Sequence, residues 1–351
     1  MAITNDNFCL TVMEELAQVA GTNGDPLRNR QKTGLLDALL SERNTAGADI
    51  NRNFDKGDGK NNKVIVKWLK PSAAEDTTEA ITSLCDETGV ESSYVYDEVT
   101  LGLEVQSEVR KLTEVQIREL CGPGSDFRMK LIGSDINAVD KKINQMLINP
   151  FYAGAGGILN GNGNVGQSYN LLYRNGLVQL DPEALIDMMR DLMDTGMEGT
   201  PIFVGGGNFD KAMKLQQIAC CNAFGADPSQ MQEMMYYYDN DLAIQLSQPS
   251  DENAFFVFAP GAAQFVDRAQ NVGEFRKVND LFIHDTIVSP VTGLSYDFNL
   301  KYDDCDRLYK FKISKKFDLW QMPTTLFKAT DDRFGINFNF VFQANETEVS
   351  V

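Results

Sequence analysis

Three runs near the C-terminal end constrain the fold most. In "LSYDFNLKY", Tyr296, Phe298, Leu300 and Tyr302 share one face; in "LYKFKISK", Tyr309, Phe311 and Ile313 oppose Lys310, Lys312 and Ser314. In "FGINFNFVF", Phe334, Ile336, Phe338, Phe340 and Phe342 align. Side chains on a strand alternate between its faces, so each run predicts an antiparallel strand with one buried face. The chain has 351 residues, enough for a large core and for more than one structural unit. Its 43% hydrophobic and 23% charged residues place it among globular chains rather than disordered ones.

Upstream the texture is mixed. Phe8, Val12, Leu16 and Val19, and then Leu35, Leu36, Leu39 and Leu40, recur at helical spacing. The polar stretch "NTAGADINRNFDKGDGKNN" reads as a mobile loop. "KVIVKWLK" at 63–70 and "SSYVYDEVTLGLEVQ", with Val99, Leu101, Leu103 and Val105 alternating, read as the arms of a long hairpin. An acidic insert (Ala74–Asp86) sits at or near its tip. A two-stranded arm is marginal alone, so another subunit is expected to cover it.

In "GSDINAVDKKINQMLINP", Ile136, Val139, Ile143, Met146 and Leu147 form an apolar stripe, with Ser134 or Asp135 as cap and Pro150 beyond the end. From Asp181 the pattern becomes mixed α/β. Two Asp-Pro starts open helical patterns, the second carrying Met231, Met234, Met235 and Tyr238 on one face. "PIFVGGGNFDKAMKL" reads as strand, turn and helix, and "AFFVFAP" as a strand.

Chemical motifs fail one by one. Gly205 and Gly207 begin a dinucleotide fingerprint, but Asp210 stands at the third glycine and no P-loop lysine follows. The favoured reading is a strand-to-helix turn with Asn208 as N-cap and glycines supplying positive φ. Gly161, Gly163 and Gly166 match the spacing, yet no buried strand precedes them. His284 is the single histidine and lies on an apolar strand, which excludes multi-histidine metal sites and favours a structural role. Asp303, Asp304 and Asp306 read as a solvated turn. Cys9, Cys85, Cys121, Cys220, Cys221 and Cys305 form no Cys-x-x-Cys and read as buried, reduced thiols. No catalytic, cofactor-binding or metal residue is therefore assigned, no cofactor is expected, and the chain is read as no enzyme. A net charge of −18 disfavours tight wrapping of nucleic acid but leaves room for a surface that lies near it without gripping. No run has the apolar length to span a bilayer, and the start of the chain lacks the basic region of a secretory signal.

The order of elements resembles the major capsid proteins of tailed phages, the HK97-like fold. "ALIDMMRDLMDTGMEGTPIFVGGGNFDKAMKLQQ" is similar to that family's helix–strand–helix, and "FVFAPGAAQFVDR" is similar to stretches of phage capsids. The resemblance implies an α+β chain with an N-terminal arm at 1–60, an extended β-hairpin (the E-loop) at 61–112, and a P-domain with its spine helix at 113–180. An α/β A-domain at 181–280 and return strands at 281–351 completing the A- and P-domains would follow. It further implies a structural protein that self-assembles through hexamers and pentamers into an icosahedral shell enclosing double-stranded DNA. Its partners would be other copies of itself in capsomers, with portal, scaffold or decoration proteins possible, packaged DNA by non-specific proximity only, and no membrane. Its location would be the virion, after assembly in the host cytoplasm. Some relatives crosslink subunits through lysine and asparagine; Lys67 and Lys70 lie in the hairpin, but no motif matches and no crosslinking residue is carried over. An encapsulin-like compartment shell, or a nucleotide-binding α/β enzyme using a glycine loop, are the alternatives.

Overall fold

The computed structural model describes residues 32–41, 48–51, 63–69, 94–113, 115–116, 127–154, 159–160, 164–165, 173–174, 177–178, 200–211, 214, 235–242, 254–268, 276–279, 282–289, 291–303, 305–321 and 336–340. The first element is α1 (Gly34–Ser41), whose Leu35, Leu36 and Leu39 are buried as their spacing predicts. β1 (Ala48–Asn51), β2 (Lys63–Leu69) and β3 (Tyr94–Thr100) form an antiparallel sheet in that order. The two hairpin arms thus pair, Lys63 with Thr100 through Leu69 with Tyr94. β1 is an addition, because it lies in the stretch that reads as a mobile loop. β4 (Leu103–Gln106) and β5 (Arg110–Thr113) follow.

α2 (Phe127–Gly154) is 28 residues long and buries Ile136, Val139, Ile143 and Leu147 of the expected stripe, with Met146 half-buried, extended upstream by Ile132 and downstream by Ile148 and Phe151. Its ends correct the sequence reading. Ser134 and Asp135 lie inside the helix, and Asp135 pairs with Arg110 of β5 at 2.7 Å instead of capping. Pro150 is also inside. An interior proline costs about 3 kcal/mol, while burial of Ile148 and Phe151 contributes about 1.5–3 kcal/mol each. The Phe151 ring sits edge-on to Phe256 and Phe258 at 5.0 and 5.1 Å, so tertiary packing carries the helix past the proline.

Two short hairpins come next, β6 (Leu159–Asn160) with β7 (Asn164–Val165) and β8 (Tyr173–Arg174) with β9 (Leu177–Val178). β10 (Ile202–Gly205) then starts a four-stranded sheet, order β11–β10–β12–β18, with β11 (Met235–Tyr238), β12 (Ala254–Phe258) and β18 (Ile336–Phe340). β11 runs parallel to β10. Helical spacing puts Met235 and Tyr238 on a helix face; three consecutive tyrosines favour a strand instead. The helix expected over 181–196 lies outside the described residues.

The chain passes from β12 to the larger sheet through Ala259–Pro260–Gly261–Ala262. Gly261 has φ +83° and Ala262 N–H donates to the Ala259 carbonyl at 3.1 Å, the features of a type II turn. β13 (Ala263–Arg268), β14 (Arg276–Asn279), β15 (Phe282–Val288), β16 (Ser295–Asp303) and β17 (Leu308–Gln321) then form a sheet ordered β13–β17–β16–β15–β14, with β4 and β5 also pairing β17. The period-two faces hold here: Tyr296, Phe298, Leu300, Phe311 and Ile313 enter the core that α2 covers, while Tyr302 and Tyr309 are half-buried. Phe334 and Phe342 lie outside the described residues.

β17 has four antiparallel partners. One edge pairs β16 up to Ser314 and β13 from Lys316; the other pairs β5 and then β4. Lys315 sits where the first edge changes partner. Fully buried, it donates to Asp267 Oδ2 of β13 and to the Ser295 carbonyl of β16, each at 2.5 Å. Its ammonium thereby ties together the two strands that meet at the change. Removing one member of a buried pair strands the other charge. Lys315→Met should lower stability by about 3–5 kcal/mol in urea unfolding, and adding Asp267→Leu should recover most of it. An unshifted midpoint in the single variant contradicts this role.

Candidate functional site

The hairpin and its root form the candidate site. Val64 and Val66 of β2 are fully buried against Leu101, Val266 of β13 and Trp320 of β17, with Val99 packed alongside. Ile65 points the other way and is 38% exposed, as the neighbouring Glu98 and Thr100 are also exposed. One face of the root thus lies on the body of its own chain, and the other remains open.

The strand predicted through Val105 divides at Leu101–Gly102. Before this point it pairs β2, and after it β4 pairs β17, with Leu103 opposite Phe317. Asp318 fixes the break: its Oδ2 accepts from Gly102 N–H at 2.9 Å and its Oδ1 from Leu319 N–H at 2.8 Å. Arg110, doubly bonded to Asp135, then anchors β5 to α2. That hydrogen bond is the main cause of the raised Arg110 pKa. The hairpin is thereby mounted on the strand and the helix that organise the body.

A second buried junction holds α1. Asp239 accepts from Leu35 N–H at 2.8 Å, Asn144 Nδ2 at 2.9 Å and Asp241 N–H at 2.8 Å. Asn144 in turn accepts from Leu36 N–H at 3.0 Å. Two orphan donors at the start of α1 are satisfied in this way by side chains distant in sequence. Burial pushes the Asp239 carboxyl up, with Asp241 adding repulsion, while the three donors pull it down; the balance lies on the upward side.

The glycine stretch Gly205–Gly207 joins β10 to the following helical turn. Helical residues begin at Gly207, so Asn208 is inside the turn rather than its cap. The positive-φ glycines among the described residues are Gly261 and Gly293, so Gly205–Gly207 do not supply positive φ. Gly205 is required by contact instead: a Cβ there would collide with the Phe209 ring. Phe209 stacks on Phe255 at 4.6 Å and holds the turn against the sheet. Asp210, in the third-glycine position, is engaged by Lys214 at 2.6 Å and Tyr236 at 3.0 Å. Burial and the Asp210 charge both raise the Tyr236 pKa. Of the second glycine motif, Asn164 and Val165 form β7 against β6, while Gly161, Gly163 and Gly166 lie outside the described residues.

His284 lies on β15 opposite Asn299. Lys310 bonds Asp303 at 2.6 Å and Asp306 at 2.9 Å, and its hydrogen bond holds the Asp303 carboxyl below its ordinary value. Asp304 lies outside the described residues. Cys305 is exposed, which corrects the buried-thiol reading: it occupies the tight turn between β16 and β17, where no core is near. The other five cysteines lie outside the described residues. Among the described residues no group of three or more His, Cys, Asp or Glu is placed to hold a metal ion, and no helix is long and apolar enough to cross a membrane.

No family model matches the chain, and no curated protein matches it. Among solved structures it is similar to the capsid of a native GTA particle, at 13% identity and a TM-score of 0.46 over 87% of this chain and 90% of that one. It is also similar to the cyanophage A-1(L) capsid (10%, 0.44, over 92% and 95%). A third is the mature capsid of bacteriophage PhiM1 (10%, 0.43, over 85% and 91%). At these distances the functional reading rests on the chain's own architecture.

The raised Asp239 pKa has a pH consequence. Between the ordinary value of 3.8 and the raised value, the folded chain binds a proton that the unfolded chain has released. This group's contribution therefore falls as pH rises through that interval. Urea midpoints measured against pH should show Asp239→Asn gaining relative to the parent as pH rises from about 4 towards 7. A constant difference between the two contradicts the assignment.

Proposed function

We propose that this chain is a structural shell subunit of the HK97-like kind, a major capsid protein that self-assembles through hexamers and pentamers into an icosahedral shell around double-stranded DNA. One observation carries the reading: a hairpin extends from a body built on one long helix and one long strand, and among the described residues its arms are rooted on that body by a small apolar cluster and one hydrogen bond to Asp318. In this reading 61–112 is the E-loop, 113–180 contains the spine helix, 181–280 is the A-domain, and 281–351 returns to both units. The pairing of β18 with β12 and of β17 with β16 and β13 supports that return path.

The physics suits a shell. Closed assemblies of identical subunits use repeated contacts rather than one cleft. An arm with an open apolar residue such as Ile65 acquires cover when a second copy docks. The charge of −18 allows DNA to lie against the inner wall without being gripped. Copies of the chain itself are the principal partners, and the virion is the final location.

Sedimentation and light scattering of the full chain should find closed particles, pentamers or hexamers. Deleting 71–90 should abolish particles while leaving the body's melting temperature within a few degrees. A stable monomer of the parent chain, or shells formed by the deletion variant, would contradict the proposal.

A further inference from the structure

The seat beneath the hairpin contains one buried polar side chain without a partner among the described residues. Gln264 of β13 is 1% exposed, and among the described residues neither its Nε2 nor its Oε1 finds a hydrogen-bond partner. It is the one described side chain with both ends orphaned. Strand alternation places Gln264 on the same face as Val266, and it stands directly across from Trp320. Val266 and Trp320 are the two body residues on which Val64, Val66 and Leu101 rest.

The contrast within β13 is informative. On its core face Asp267 is matched by Lys315. On its hairpin face, two residues from Val266, the amide is buried without compensation. An apolar side chain of the same length would suit Trp320 across the ladder and Val266 on the same face better, since an unpaired buried amide costs its full desolvation. The apolar gain here comes from few residues, so that cost is a large fraction of the contact. A hinge is already present: the chain changes sheets at Leu101–Gly102, with Asp318 holding the Gly102 N–H on the body side.

We propose that Gln264 keeps the hairpin seat deliberately weak, so that the β1–β2–β3 sheet lifts as a unit about Leu101–Gly102 and exposes the amide to a new partner. Resting on the shell reading, that partner is a second copy of this chain, whose contact resets the angle of the arm. The weak seat itself belongs to the single chain and is measurable whether or not shells form.

Hydrogen exchange of the full chain, read by mass spectrometry, tests it. In Gln264→Met, which keeps length and removes the amide, the amides of β2 and β3 should exchange about five-fold more slowly or slower still. Those of α2 should keep their parent rates. Gln264→Leu should act in the same direction. Parent rates at β2 and β3 in both variants, or an equal slowing throughout α2, overturn the proposal. Failure of the shell reading would appear separately, as a chain that sediments as a monomer with a slowed hairpin in the variants.

Discussion

The fold depends on β17 being shared. Fourteen residues long, it is the only described strand with neighbours on both edges that change partway along. Such a strand needs something to hold the two successive partners on one edge at the point where neither ladder reaches. The Lys315 ammonium does this by reaching Asp267 on one strand and the Ser295 carbonyl on the other. The Tyr296 ring lies 5.8 Å from the ammonium, and the Tyr296 hydroxyl donates to Asp140 on α2. A line of polar contacts thus runs from β13 through β17 and β16 to the long helix, inside the buried core.

That line explains how one helix serves several units. Asp140 ties α2 to the large sheet, Asn144 ties it to α1 and to the end of β11, and Asp135 ties it to β5. Phe151 completes the set by packing on Phe256 and Phe258 of the smaller sheet. Apolar stripes alone allow a helix to slide or rotate over a sheet. Hydrogen bonds at three levels along α2 fix one position, because each displaced partner would be a buried group left unpaired. At the root of the hairpin, Asp318 supplies such a bond at the hinge by accepting from Gly102 N–H.

Sequence periodicity is a good guide to faces here and a poor one to partners. The arms at 63–69 and 94–100 are legible because alternation survives wherever one side is buried. Alternation also continues through Leu103 and Val105, so nothing in the pattern marks the change of sheet at Gly102; that depends on Asp318, more than two hundred residues away. Lys315 stands beside Lys316 in a charged run and has the appearance of a solvated residue until β13 and β16 are in place. Pro150 obeys a sound local rule that Phe151 overrides from its packing outside the helix. Gly205 does end β10 at the turn, but its reason is the ring of Phe209 rather than its own dihedral. The tyrosines at 236–238 are masked by methionines at helical spacing, although each hydroxyl has a separate partner: Asp210, Ser41 and Asn240.

These features describe a body carrying an arm that is only lightly seated on it, the division of labour that the proposed shell role requires. Native-state hydrogen exchange of the parent chain across a denaturant series tests that division most directly. The account predicts that amides of β2 and β3 open at lower free energy than those of α2 and β15–β17, with a shallower dependence on denaturant. A single common free energy and slope for arm and body would contradict it.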